Sequence, residues 1–271
     1  VAYHLDDFIF DANAASRRSP IQLSELEVPF KKYLASAELF STINMELSRA
    51  ARDALYTSTN LRGNSLIIHV EASWVLTYTL YEHMPAHLYT VPMLGLISPL
   101  SSGKFEYDIY DLPHTYSNAL FDREQRLINK RSFSATVGDV VRVEGATTVF
   151  DVRINQPVGV LKLVVPLGDP LQWAFDRETL IPLQAISATT EASELAFISQ
   201  VLGVLNCQSS IIKLKELAHK HPAHNVRWEA IKAIGKINPE IGLAEIEIAT
   251  MDKHPHVAAA AQRTLARYRA N

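Results

Sequence analysis

Apolar residues change their spacing twice along this chain. From Val28 to Tyr56 they recur at helical intervals, at Phe30, Tyr33, Leu34, Phe40, Ile43 and Leu47, with polar residues between. Ser24 and Glu27 in SELE have the spacing of a capping box, so the pattern predicts a helix entered there and broken near its middle. Between about Leu66 and Phe175 the period shortens. LIIHVEASWVLTYTLYEH, KFEYDIYDL, DVVRVEG, TTVFDVRI and VGVLKLVVPL are short runs rich in Val, Ile, Thr and aromatics, parted by turn material such as MPAH, SPLSSG and NQPVG. Strands in succession with no long helix between them predict an antiparallel sandwich or barrel. After Pro182 the pattern returns to helices, SELAFISQVLGVLN, then SIIKLKELAHK, and so on to the end.

The last part repeats itself. Sliding the chain by 31 residues sets Val226 on Val257, Ala230 on Ala261 and Ile234 on Leu265, and lays Arg227, Trp228 and Glu229 on three alanines. Each unit then reads as helix, short His-Pro turn, helix, with small alanines where helices touch, as a solenoid requires. The stretch NVRWEAIKAIGKINPEIGLAEIEIATMDKHPHVAAAAQRTLARY resembles HEAT-like helical repeats. In those repeats an Asp, a short turn, then Val-Arg and a spaced Ala open the second helix. Val226, Arg227 and Ala230 match in the first unit, and Asp252, Val257 and Ala261 in the second, where Ala258 replaces the common Arg. The resemblance implies a cap of two units, with Arg227, Lys232 and Lys236 as a surface for a protein partner.

Five of the ten histidines fall in the two turns, His219, His221 and His224 in HKHPAHNV and His254 and His256 in DKHPHV. Imidazoles are ready metal ligands, and two can share a helical face at i, i+4. Pro222 and Pro255 interrupt that spacing and start or stop helices. The expectation is therefore that these histidines lie in exposed turns and hold no metal.

The β region has its own chemistry to test. WVLTYTLYEHMPAHLYTVPMLGLISPLSSGKFEYDIYDL is similar in layout to the first conserved stretch of cupins, particularly the cysteine dioxygenase-like group. VGDVVRVEGATTVFDVRI resembles the second stretch, and LKLVVPLGDPLQWAFDRET the closing strand and tail. In that family two inward positions on one strand, separated by a single residue, supply a His-x-His pair for a divalent metal, joined by an acid and a later His. Here His87-Leu88-Tyr89 or Thr90-Val91-Pro92 stands for the pair, and Thr147 or Thr148 for the later His. Two function classes follow. The first is a non-catalytic cupin-like module with its metal set lost and no cofactor expected, sensing a small molecule or binding a protein, with a pocket from Tyr78, His87, Tyr89, Tyr107, Thr148 and Phe150. The second is a metal-dependent dioxygenase-type cupin holding Fe(II) or another divalent metal with His83, His87, Tyr89, Glu82 and His114. The resemblance also implies pairing of copies through edge strands, a homodimer.

Composition narrows the classes further. At 271 residues, 48% hydrophobic and 20% charged, the chain can bury a sizeable core. The expected organisation is α+β, an N-terminal helical segment over 1–60, a cupin-like β domain over 61–185 and a helical HEAT-like domain over 186–271. No uncharged apolar run is long enough to cross a bilayer, and VAYHLDDFIFD lacks the basic-then-apolar order of a secretory signal, so the expectation is a cytoplasmic protein without membrane partners. The single Cys207 excludes an intramolecular disulfide and a thiolate-based zinc site, and reads as inert core. A net charge of -3 makes nucleic acid an unexpected partner, although six Lys and four Arg against six acidic residues from Asn206 onward give that part about +4. Walker, Gly-x-Ser-x-Gly, His-Glu-x-x-His and Cys-x-x-Cys motifs are absent from the sequence.

Overall fold

The computed structural model describes residues 3–17, 20–53, 60–101, 104–117, 120–168 and 171–270. The elements in chain order are α1 (Leu5–Ser16), α2 (Leu23–Leu34), α3 (Ser41–Arg52), β1 (Leu61–Arg62), β2 (Ser65–Val70), β3 (Val75–Tyr81), β4 (Leu88–Tyr89), β5 (Met93–Pro99) and β6 (Phe105–Asp111). There follow β7 (Ile128–Ala135), β8 (Val141–Glu144), β9 (Thr148–Arg153), β10 (Val158–Pro166), β11 (Leu171–Phe175), β12 (Pro182–Ser187), α4 (Thr190–Val204), α5 (Ile211–Lys220), α6 (His224–Ile237), α7 (Pro239–Ala249) and α8 (Pro255–Ala270). Two compact units emerge, 1–116 with 123–168 and 174–183, and 117–122 with 169–173 and 184–271. Among the described residues no helix is long and apolar enough to cross a membrane.

In the first unit, strands run antiparallel in a six-stranded sheet of order β1-β2-β3-β10-β5-β8 and a three-stranded sheet of order β7-β6-β9. Alternation along β10 explains how the large sheet is covered. Leu161 and Leu163 point to one face, where Leu76, Leu96 and Trp74 join Phe8, Leu26, Phe30 and Tyr33 of α1 and α2 in one apolar core. Val158 and Val160 point to the other, meeting Ile97, Val141 and Val143 and, from the three-stranded sheet, Phe105 and Val152.

The helices before the sheet differ from the expectation in three ways. The predicted helix is two, α2 and α3, as its broken pattern foretold, but α1 precedes them, entered at His4, whose amide is accepted by Asp7 Oδ2 at 2.9 Å. Ser24 is no cap: α2 begins at Leu23 after Gln22, because burying Leu23 draws the first turn earlier than the Ser-Glu pair would set it. On α3, Met45 and Leu47 are exposed, so its apolar positions are not core. The expected extension to Tyr56 lies outside the described residues. Strand β7 was also unforeseen: all but its last residue is exposed, and its pairing with β6 rather than any alternation defines it.

The second unit contains two helix, His-Pro turn, helix passages, α5 to α6 and α7 to α8. Small residues set the close approaches. A Cβ on Gly203 would lie 3.0 Å from Ala233 Cα, and one on Gly242 only 2.3 Å from Gly235 Cα, so α4 and α7 each touch α6 nearly backbone to backbone. Ala230 and Ala261 are fully buried in the same core as Ile234 and Val257.

Candidate functional site

The side chains proposed to line one β-domain pocket sit in different places. Tyr107 is tilted against Phe150 at 5.1 Å between centroids, and both pack on the core between the sheets, while the exposed Phe133 of β7 stacks on Tyr107 from outside at 5.5 Å. Tyr78 instead lines a cavity of about 600 Å³ with Leu66, Leu80, Ile43 and Leu47, into which Glu46 and Glu82 also face. Thr148 borders another cavity, of about 380 Å³, shared with His114, Thr147 and Asp111. Gly145 makes that turn possible: a Cβ there would lie 1.8 Å from Val91 O, so only glycine lets the chain between β8 and β9 pass β5's approach.

The metal alternative fares no better as geometry. His83 and Glu82 are exposed, and His114 is exposed at the other cavity. His87 is half-buried, its ring edge-on to Tyr89 at 6.3 Å, and its Nδ1 is buried with no hydrogen-bond partner. The carboxylate beside His114, Asp111, is already held by Arg131 at 2.6 and 3.0 Å and by Asn129 at 3.1 Å; the Arg131 bonds keep it below the usual carboxylate range. Among the described residues, the histidine, cysteine and acidic side chains of the β region nowhere gather as a group of three within reach of one ion.

Two features of the β unit lie outside the expectations from sequence. Lys162 interrupts the apolar run of β10 on the face of Val160, with its Nζ 5.7 Å from the Tyr81 ring centroid, and burial lowers its pKa while burial raises that of Tyr81 to about 12. On the opposite face of the small sheet, Asp108 and Asp151 stand directly across from each other. Like charges so placed repel, and the sheet resolves this with cations: Arg177 grips Asp151 through two bonds of 2.7 and 2.8 Å, while Asp108 accepts from Ser132 Oγ at 2.6 Å and pairs with Lys130 at 3.0 Å. Burial pushes the Asp108 carboxyl up, but Ser132 and Lys130 outweigh it and leave the group below its ordinary value.

The histidine turns correct the expectation most. His224, the first residue of α6, is only 8% exposed, and its ring lies flat on that of His254, centroids 3.5 Å apart and planes 3° from parallel. His256, exposed at the start of α8, stands edge-on to both, 6.4 Å from His224 and 5.4 Å from His254. One ligand nitrogen from each of the three falls within 4.8 Å of the others. Burial first, then the neighbouring His254 and Arg227, lower the His224 pKa to about 4. His219, in contrast, is taken up by the buried Glu245 at 2.6 Å, which also binds Lys215 at 2.9 Å.

Arg227 is what holds the two turns together. Its guanidinium donates to Asp252 through Nε at 2.9 Å and Nη2 at 2.6 Å, and through Nη1 to the carbonyls of His221 and Pro222, both at 3.0 Å. Asp252 in turn accepts from the His254 amide at 2.7 Å. Arg227 is therefore buried and internally engaged, at 2% exposure, and is withdrawn from the partner surface assigned to it with Lys232 and Lys236, which remain exposed. Cys207 is likewise no buried core thiol but half-exposed, 3.5 Å from Ser209 Oγ.

Among solved structures, the chain is similar to a protein with a double-stranded β-helix domain from Klebsiella pneumoniae, at 11% identity over 45% of this chain and 92% of that one, with a TM-score of 0.26. It is similar to ectoine synthase from P. lautus at 12% identity, 50% and 88% coverage and a TM-score of 0.29. Hydroquinone 1,2-dioxygenase from Sphingomonas sp., with 4-hydroxybenzoate bound, matches at 10% identity, 41% and 70% coverage and a TM-score of 0.29. No protein-family model and no curated protein matches the chain.

Proposed function

We propose that this chain is a non-catalytic binding protein: a cupin-like β unit, lacking the cupin ligand set, holds a small and mainly apolar molecule, and HEAT-like helix pairs form an interaction part. The observation that carries the first half is the cavity of about 600 Å³ bordered by α3 and the β1-β2-β3 end of the large sheet. Small-molecule sites commonly span about 300–1,000 Å³, with apolar walls and few polar anchors. This cavity fits that description, since four leucines, Ile43 and Ala50 make the greater part of its wall, with Glu46, Asn64, Tyr78 and Glu82 as polar exceptions. The polar groups are acceptors or acids in the main, which favours a ligand carrying one donor or cationic group on an apolar body. Exposure of Leu47, which lines the cavity from α3, is consistent with a helix that gains apolar contacts when the cavity is filled.

A cupin-like reading of the strands is supported by their antiparallel pairing and by two sheets meeting across a shared apolar core. The HEAT-like reading is supported by the alanine and glycine contacts between consecutive helices. Lys232 and Lys236, both exposed on α6, are the surface left for an acidic protein partner.

Ala50 lines the cavity, so Ala50→Trp should fill it. A neutral fluorescent apolar probe such as N-phenyl-1-naphthylamine is expected to bind the unaltered chain, and to bind Ala50→Trp more weakly by about tenfold or more, roughly the value of one lost apolar group of this size. Unchanged binding in that variant, with its thermal transition intact, would reject this cavity as the site.

A further inference from the structure

We propose that His224, His254 and His256 bind one divalent transition ion of the zinc class, bridging the turn before α6 and the turn before α8. The site is independent of the apolar cavity and of the cupin-like ligand positions.

Three observations carry it. First, three imidazoles from two turns about 30 residues apart in sequence come within 4.8 Å at their ligand nitrogens, a grouping unique among the described His, Cys, Asp and Glu residues. Second, the scaffold beneath them is built to hold that spacing. The buried Arg227 and Asp252 pair fastens the turn carrying His254 to the helix that His224 opens, and the same guanidinium fixes the turn before α6 through two carbonyls. Third, the cluster runs from buried to exposed, His224 to His254 to His256, so an ion would have two inner ligands and an outer one that can swing onto it from solvent.

Donor chemistry selects the class of ion. Three imidazole nitrogens with no thiolate, and with Asp252 already engaged by Arg227, suit zinc, nickel or copper rather than calcium or magnesium, which prefer oxygen. Zinc takes nitrogen ligands at about 2.0–2.1 Å in tetrahedral geometry, so three histidines leave a fourth position for water or an outside ligand. The lone pairs of parallel rings do not converge, and the ion therefore requires His254, carried by the turn, to tilt away from the His224 plane. Its Nδ1 accepts from the His256 amide at a long 3.3 Å, a bond that this tilt gives up. Joining the two turns through an ion would stabilise the second unit by linkage, since the unfolded chain does not hold the three rings together.

The test uses the full untagged chain and cobalt(II) as a spectroscopic substitute for zinc. The unaltered protein should take up one equivalent, with visible absorption typical of a tetrahedral nitrogen site, and zinc should raise the temperature of its helical transition. His256→Ala, an exposed position, should keep the fold and weaken binding by more than the roughly 10–100-fold that losing an outer partner costs. It should also abolish the zinc-dependent thermal shift. His83→Ala, an exposed histidine of the β unit, should change neither readout. Absence of stoichiometric uptake by the unaltered chain, or equal uptake by His256→Ala, would overturn the proposal.

Discussion

The β unit and the helical unit distribute their histidines in opposite ways. In the β unit His83, His87 and His114 are scattered, exposed or turned against a tyrosine. The helical unit offers no strand-spaced ligand pair, yet its turns bring three histidines together and stack two of them at 3.5 Å. The lesson is where each architecture delivers proximity. A strand places neighbouring ligands by local spacing, so losing a residue from the motif loses the site. Helices packed pair on pair bring their turns side by side, so residues distant in sequence meet without any local motif.

The largest effects should come from cutting each unit at the group that organises it. Trp74 is fully buried where α1 and α2 cover the large sheet, and Trp74→Ala should cost the first unit about 3–5 kcal/mol in denaturant unfolding. Arg227→Ala should cost the second unit a comparable amount, about 3–5 kcal/mol, because it strands the Asp252 carboxylate at a site where both partners are largely buried. A double change to Arg227→Met and Asp252→Leu should be milder, since no charge is left unpaired. If Arg227→Ala melts like the unaltered chain, the turns are not held by this pair and the contrast between the units weakens.

Much of this is legible in the sequence, and the exceptions have physical causes. The short apolar and β-branched runs in LIIHVEASWVLTYTL, VRVE and VGVLKLVVP mark β2, β3, β8 and β10, of which β8 alternates strictly between buried and exposed and β10 is buried along most of its length. The sequence INKRSFSA of β7 gives no such sign, since a strand exposed along nearly its whole length is defined by its neighbour. Prolines were read correctly as helix boundaries, Pro255 beginning α8, but the inference that the turn histidines are solvated was wrong for His224. A signal for the cluster does lie in the sequence: the 31-residue offset that aligns Val226 with Val257 also aligns the two His-Pro turns. The burial of Arg227 has a related reason, as charge in sequence does not reveal that an Asp 25 residues on, in the turn before α8, will engage it.

Smaller effects sharpen the comparison. Gly242→Ala forces a Cβ against Gly235 and should separate α6 from α7, destabilising the helical transition by about 1–3 kcal/mol while leaving apolar-probe binding in the β unit unchanged. Calorimetry of the two transitions would read both at once. Acid should reveal the β unit's own charged pair. Asp108 titrates below its ordinary 3.8 in the folded chain, so its contribution is fully present above that value and is lost as pH falls through the lower folded value. Asp108→Asn should therefore flatten stability against pH below about 4, and an unchanged acid profile would show that Ser132 and Lys130 do not favour the carboxylate.

The most direct test of the central claim is bound zinc per chain after dialysis against the ion and then against buffer, measured by elemental analysis in the unaltered protein, His87→Ala and His256→Ala. The account predicts one zinc in the first two and none in the third. Zinc retained by His256→Ala and lost from His87→Ala would place the metal chemistry in the β unit and contradict it.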